Sequence, residues 1–352
     1  MCIRDSSIDR QDNGEKEKWF SHTLNDFINL PGSMPEKLKG DEVTAKTQWT
    51  GSLYDSSYYY NPYMEKYRKE GNIKFPFFLT PDKHYVGAAW YQKEVNIPAD
   101  WKGERILLFL ERPHIETTVW VNGQKTGIQN SLCVPHQYDI TRYVRPGKCT
   151  ITIRVDNRIK EINVGPDSHS ITDQTQGNWN GIVGRICLQT TPKTYFDDIQ
   201  IYPEPEQKLA RVKVVIKGTG TAKVKLSAES FNTDKKHIVP AIQQEIKLNK
   251  GVTETEMVLP MGNDMLLWDE FHPALYKLKA EVTNGKKTEI KEIQFGMRRF
   301  EIKGKWFYVN GRKTQLRGTV ENCDFPLTGY APMDVELSLI HISEPTRPLY
   351  IS

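Results

Sequence analysis

From about residue 85 onward, short apolar runs alternate with turn-forming residues, the pattern of an all-β protein. Runs rich in β-branched and aromatic residues predict strands at Trp90–Ile97, Arg105–Leu110, Glu116–Val121, Thr150–Val155 and Ile182–Gln189. Val121-Asn122-Gly123-Gln124 predicts a hairpin, because Asn-Gly accepts the positive φ values of a type I′ turn. Asn284-Gly285 and Asn310-Gly311 repeat the device. After Thr191-Pro192 a second series follows: Phe196–Tyr202, Ala210–Lys217, Ala222–Ser230, Ile242–Leu248, Thr253–Leu259, Leu275–Thr283 and Lys287–Phe295. Seven short strands in about 100 residues suit an immunoglobulin-like sandwich. Alternation supports it, with Val212, Val214 and Ile216 facing one way and Lys213, Val215 and Lys217 the other.

Residues 20–85 are less regular. Pro31-Gly32, Gly51, Asn61-Pro62, Gly71-Asn72 and Pro81-Asp82 break them into short pieces. Tyr58-Tyr59-Tyr60 and Phe75-Pro76-Phe77-Phe78 supply apolar mass. The stretch reads as loops and edge strands wrapped on the first sandwich, with one short helix near Pro62–Lys69.

The chain has 352 residues, 38% of them hydrophobic and 26% charged, which is enough apolar material for two or three domains. Its 48 basic and 44 acidic residues are well mixed, whereas a nucleic-acid binder concentrates its basic residues. No nucleic-acid partner is therefore expected. The longest apolar run, Ile106 to Leu110, is far too short to span a bilayer. The five cysteines, Cys2, Cys133, Cys149, Cys187 and Cys323, form no CxxC pair and no zinc spacing, so neither a disulfide framework nor a metal or other cofactor is inferred. The 8 Trp and 16 Tyr suit sandwich cores and also suit stacking on sugars; composition alone favours the core.

Six ordered segments resemble landmarks of glycoside hydrolase family 2. Ala89-Trp90-Tyr91-Gln92-Lys93 resembles the strand that starts the family's sugar-binding domain. Glu116 through Trp120-Val121-Asn122-Gly123 resembles its hairpin, and Tyr138-Asp139-Ile140-Thr141 a later segment. Asn178-Trp179-Asn180-Gly181-Ile182-Val183-Gly184-Arg185 is similar to the turn that closes that domain. Leu267-Trp268 with Pro273-Ala274-Leu275-Tyr276 resembles the end of its second domain. Gly296-Met297-Arg298, Val309-Asn310-Gly311 and Leu316-Arg317-Gly318 resemble its lead into the catalytic barrel. Residue by residue, Trp90 and Trp120 suit the core better than a sugar platform. Asp139 suits a backbone-bonded turn, and Arg185 an ion pair.

The resemblance implies a mainly β chain: a jelly-roll-like sugar-binding sandwich at 20–193, an immunoglobulin-like sandwich at 194–296, and the start of a truncated (β/α)8 barrel at 297–336. Its first barrel strand would be Thr314–Arg317. Residues 1–6 and 337–352 resemble translated sequencing-adapter read-through. Hence 1–19 are expected to be a non-native or disordered leader and 337–352 an artefactual tail. The missing signal peptide then carries no information on compartment, and the family resemblance suggests a bacterial periplasmic or extracellular setting.

The family hydrolyses β-glycosides with retention, using two carboxylates about 5 Å apart. In the family these are glutamates on later barrel strands, and a barrel needs about 250 residues. Neither glutamate is therefore expected here, no catalytic residue is assigned, and the chain by itself is expected to be inactive. Relative to the β-galactosidase motif Arg-Gly-Val-Asn-Arg-His-Glu-His-His-Pro, the chain reads from Arg317 to Pro326 with Val320 in place of Asn and Asn322 in place of the first His. Candidate substrate-binding residues are Glu321, Asn322 and Asp324 at the barrel mouth. Asn178, Trp179 and Asn180, an aromatic between two amides bounded by Gly177 and Gly181, are candidates for a sugar rim. The expected partner is a terminal β-linked sugar, a galactoside or glucuronide, of a glycan or polysaccharide, with homo-oligomerisation possible. The alternative is a carbohydrate-binding or adhesion protein without catalysis.

Overall fold

The computed structural model describes residues 5–49, 56–75, 82–131, 134–160 and 178–318. The chain divides into two compact units at Thr190 and Thr191. The first contains β1 (Asp5–Asp9), β2 (Gly32–Ser33), β3 (Asp41–Glu42), β4 (Lys83–His84), β5 (Ala88–Ile97), β6 (Arg105–His114), β7 (Glu116–Val121), β8 (Gln124–Asn130), β9 (His136–Asp139), β10 (Gly147–Asp156) and β11 (Gly181–Thr191). One sheet runs β1-β5-β10-β7-β8 and the other β2-β11-β6-β9, while β3 and β4 form a separate pair.

The period of two along the strands decides which side chains enter the core. Ala89, Tyr91 and Ile97 of β5, Val119 and Val121 of β7, and Ile151, Ile153 and Val155 of β10 meet Ile106, Leu108 and Leu110 of β6 and Ile182 and Ile186 of β11 in one cluster. The hairpin between β7 and β8 turns on Asn122 (φ 49°) and Gly123 (φ 77°), as Asn-Gly dictates.

The other face of the five-stranded sheet is also covered. Trp90 and Trp120 stack there at 4.9 Å, Phe20 stacks on Trp120 at 5.2 Å, and Trp19 lies 6.0 Å from Trp90. The described part of the expected leader, residues 5–19, contributes to this layer. Asp5–Asp9 pairs antiparallel with β5, and the buried Asp9 carboxylate accepts from Trp90 Nε1 at 3.0 Å, Asn13 N at 2.8 Å and Gly14 N at 2.8 Å. Without this segment β5 would be an open edge and both tryptophans would face water.

The second unit contains β12 (Tyr195–Glu204), β13 (Leu209–Phe231), β14 (Ile238–Pro260), β15 (Leu275–Asn284), β16 (Lys287–Phe295), β17 (Phe300–Lys303), β18 (Trp306–Val309) and β19 (Arg312–Thr314). Two pairs of expected strands are fused: β13 and β14 are each 23 residues long and pair along their length. Register shifts at Gly218/Gly220 and Leu226/Ala228 break the ladder. The first half of β13 also pairs with β12 and the second half with β15, so one continuous strand joins two sets of neighbours where two separate strands were expected. Val212, Val214 and Ile216 are fully buried in a core shared with Leu226, Tyr276 and Leu278.

The Asn284-Gly285 turn departs from the expected type I′ geometry. Asn284 pairs with Lys287 as the last strand residue, and in the turn only Gly285 has positive φ (61°). The Asn284 side chain instead donates to Thr219 O at 2.8 Å and Thr194 Oγ1 at 3.1 Å. β17, β18 and β19 form an antiparallel meander, turned by Asn310 (φ 50°) and Gly311 (φ 78°). Thr314, expected to open a barrel strand, closes β19 against β18, and residues 315–318 carry no strand. The short helix expected near Pro62–Lys69 is a 3₁₀ helix, Pro62–Tyr67.

Candidate functional site

Asn178, Trp179 and Asn180 lead into β11 at one end of the first sandwich. All three, expected as candidates for a sugar rim, are buried. Asn180 Oδ1 accepts from Tyr91 Oη at 2.6 Å, while its Nδ2 donates to Gly87 O at 2.9 Å and Val155 O at 3.0 Å. Its backbone carbonyl accepts from Met34 N at 2.8 Å. Asn178 Nδ2 donates to Asn157 O at 2.9 Å, and Asn157 Nδ2 donates to Asn178 Oδ1 at 3.1 Å and Tyr85 O at 2.9 Å. Trp179 stacks on His114 with centroids 4.6 Å apart and planes 18° from parallel. Amide chemistry that suits sugar hydroxyls also suits the carbonyls of chain ends brought together, and here the carbonyls are nearer.

Tyr85, Tyr91, His114 and Asn157 complete this network. No local pattern announces them, since they lie 21 to 89 positions from their asparagine partners. Burial pushes the His114 imidazole down to about 4, opposed by its hydrogen bond with Asn178. Burial raises the phenols of Tyr85 and Tyr91 above the ordinary tyrosine range.

On the outer face beside this network, Asp156 is fully buried and accepts from Arg154 at 3.1 Å, Arg158 at 2.6 Å and Lys160 at 2.9 Å. Burial works to raise its pKa, but hydrogen bonds from Arg158 and Lys160 and the Arg154 charge outweigh it and hold the carboxyl below the usual range. Asp12 bonds Arg154 at 2.7 Å and Arg158 at 2.6 Å, and Glu116 bonds Lys160 at 2.9 Å. These cations are therefore already matched by carboxylates. Arg185 pairs with Glu111 within its own sheet at 3.1 Å, and Asp139 accepts from Thr141 N at 3.1 Å.

Among the described residues, no group of His, Cys, Asp and Glu side chains is placed to hold a metal ion, and no helix is long and apolar enough to cross a membrane. Cys149 is a buried free thiol raised to about 11 by burial, and Cys187 is half-buried. Glu321, Asn322 and Asp324 lie outside the described residues.

Residues 9–192 match the sugar-binding domain of glycosyl hydrolases family 2, and residues 194–298 match a second domain described as glycosyl hydrolases family 2. A putative β-glucuronidase of Formosa agariphila is 29% identical over 248 residues, which cover 68% of this chain and 28% of that protein. A β-galactosidase of Thermoanaerobacter pseudethanolicus is 25% identical, covering 75% and 35%. The β-glucuronidase of Homo sapiens is 25% identical, covering 70% and 41%. Among solved structures, a β-glucuronidase from Ruminococcus gnavus aligns with a TM-score of 0.64 and 18% identity, over 90% of this chain and 48% of that one. A family 2 member from Bacteroides cellulosilyticus aligns with a TM-score of 0.59 and 20% identity, over 90% and 37%. These two likenesses are of fold. The chain thus spans less than half the length of each of these relatives. With the sugar-binding domain matched over more than half its length and the second domain following directly, the chain belongs to glycosyl hydrolase family 2.

Proposed function

We propose that this chain is the non-catalytic N-terminal portion of a retaining β-glycosidase that removes terminal β-linked sugars, of the galactoside or glucuronide class, from glycans. The observation that carries this reading is the ordered pair of family domains running into Leu316-Arg317-Gly318. Relatives named β-glucuronidase and β-galactosidase support the substrate class. A second support lies at the end of the second unit. There Phe300 and Ile302, on one face of β17, are 49% and 68% exposed, apolar groups that further folded polypeptide would cover.

In this reading the nucleophile and the acid/base come from later barrel strands, about 5 Å apart as retention requires. Glu321, Asn322 and Asp324 reach sugar hydroxyls at the barrel mouth. The buried asparagines at 178 and 180 hold the closing turn of the first sandwich in place.

The test is to sequence the locus past the codon for Glu336, express the whole reading frame, and assay aryl β-galactoside and aryl β-glucuronide. The expected result is hydrolysis with retained anomeric configuration by the whole product and none by the 352-residue chain. A reading frame that ends near residue 352, or a whole product inert on both substrates, overturns the enzyme reading in favour of a carbohydrate-binding or adhesion role. Turnover by the 352-residue chain overturns its non-catalytic assignment.

A further inference from the structure

The second unit carries a cleft of about 540 Å³ where its sandwich meets the meander. Its walls are mostly apolar, with Ile201 and Pro203 from β12, Leu275 from β15 and Phe300 from β17, and Trp268 and Arg298 complete it. Trp268 is fixed through both ends of its backbone. Its N–H donates to Met297 O at 3.0 Å, and its carbonyl accepts from Asn310 Nδ2 at 3.0 Å. Gly296 lets the indole sit this close to the chain, since a Cβ there would stand 3.0 Å from Trp268 Cβ. This wall is therefore built before any ligand arrives, which lowers the ordering cost of binding.

The guanidinium of Arg298 lies over the indole, 4.8 Å from the ring centroid. Its neighbour Arg299 is matched by Glu206 and, at 2.8 Å, by Glu301. Arg298, by contrast, has neither a carboxylate nor a hydrogen-bond partner among the described residues. A guanidinium held by a ring keeps a planar fork of N–H donors, whose shape matches a carboxylate. In open water such a pair contributes little. Beside apolar walls it strengthens, because the body of a ligand displaces water from around the charges. A cleft of this size, apolar with one placed charge, has the make-up of a small-molecule site.

We propose that this cleft binds a small aromatic carboxylate, with its ring against the apolar walls and its carboxylate on the Arg298 guanidinium. The site belongs to the second unit alone, so it stands or falls independently of the glycosidase reading.

The test is an NMR titration of the 352-residue chain labelled with ¹⁵N at tryptophan, read at the Trp268 indole N–H, with Trp268→Phe to assign that signal. The probes are 2-naphthoate, its uncharged analogue 2-naphthamide, and acetate, which keeps the charge and lacks the ring. We expect 2-naphthoate to move the Trp268 signal saturably, with a Kd at or below about 1 mM, and the other two to bind at least about tenfold more weakly. Arg298→Gln should weaken 2-naphthoate by a similar factor. Arg298 is exposed, so the remaining indole signals of that variant should stay in place and report an intact fold. A Trp268 signal that 2-naphthoate does not move, equal binding of 2-naphthamide or acetate, or unchanged binding in Arg298→Gln overturns the proposal.

Discussion

The hydroxyl of Tyr91, on the inner face of β5, donates to Oδ1 of Asn180 at the start of β11, 2.6 Å away and 89 positions along the chain. The bond joins the two sheets of the first sandwich. The same carboxamide also holds the carbonyls of Gly87 and Val155, so one asparagine satisfies three buried groups.

Asn180→Ala removes all three partners at once and strands a buried hydroxyl and two carbonyls. Each such loss costs about 1–3 kcal/mol, so the variant should lose about 3 kcal/mol or more. Urea unfolding of the first unit, followed by tryptophan fluorescence, reads this directly. An unchanged midpoint would show that the network does not hold the sheets together.

Removal of residues 1–19 should expose Trp90 and Trp120 and open the edge of β5. We expect a loss of about 2–4 kcal/mol, from the area of two large rings returned to water, and a red shift in tryptophan emission. Gly14→Ala is the gentler version. A Cβ there would stand 2.5 Å from Trp90 Nε1 and 2.7 Å from Asp9 Oδ2, so a smaller loss in the same direction is expected. A truncated chain as stable as the parent would restore the leader interpretation.

His84, His114 and His136 are all held down to about 4 by burial. Between about pH 4 and pH 6.5 the unfolded chain binds protons at these sites and the folded chain does not. Stability therefore rises with pH across that window, is at its full value above it, and is lost as pH falls. Each histidine contributes a slope of up to about 1.4 kcal/mol per pH unit. Denaturation midpoints measured at pH 4.5, 5.5 and 7.5 should rise in that order, and a flat profile would contradict the buried neutral assignment.

Asp156 contributes with the same sign at lower pH, since its folded pKa also lies below its usual range, here because its charged form is stabilised. Its stabilisation is present above the unfolded value and lost in stronger acid. Asp156→Asn leaves Arg154, only 9% exposed at its side chain, short of a buried counter-charge. A cost of about 3 kcal/mol is expected, with a weaker dependence on acid below pH 4. A variant equal to the parent in both respects would mean that Asp12 and Glu116 suffice for the cluster.

Much of the fold could be read along the chain because strand periodicity is local. Val212, Val214 and Ile216 had to share a face, and Asn122-Gly123 and Asn310-Gly311 had to turn. The ordered Trp, Asn-Gly and Gly-Arg landmarks likewise point to the family from sequence alone. Three features needed the tertiary structure. The strip Asp5–Asp9 is too short and polar to read as a strand until β5 offers it an edge. The expected segments Ala210–Lys217 and Ala222–Ser230 form one continuous strand, because pairing with β12 and then β15 holds both halves of β13. Asn178, Trp179 and Asn180 have the composition of a binding loop, yet Tyr91, Gly87, Val155 and Asn157 converge on them and bury them. Sequence determines which groups can make hydrogen bonds; only the folded chain decides whether sugar or the protein's own backbone receives them.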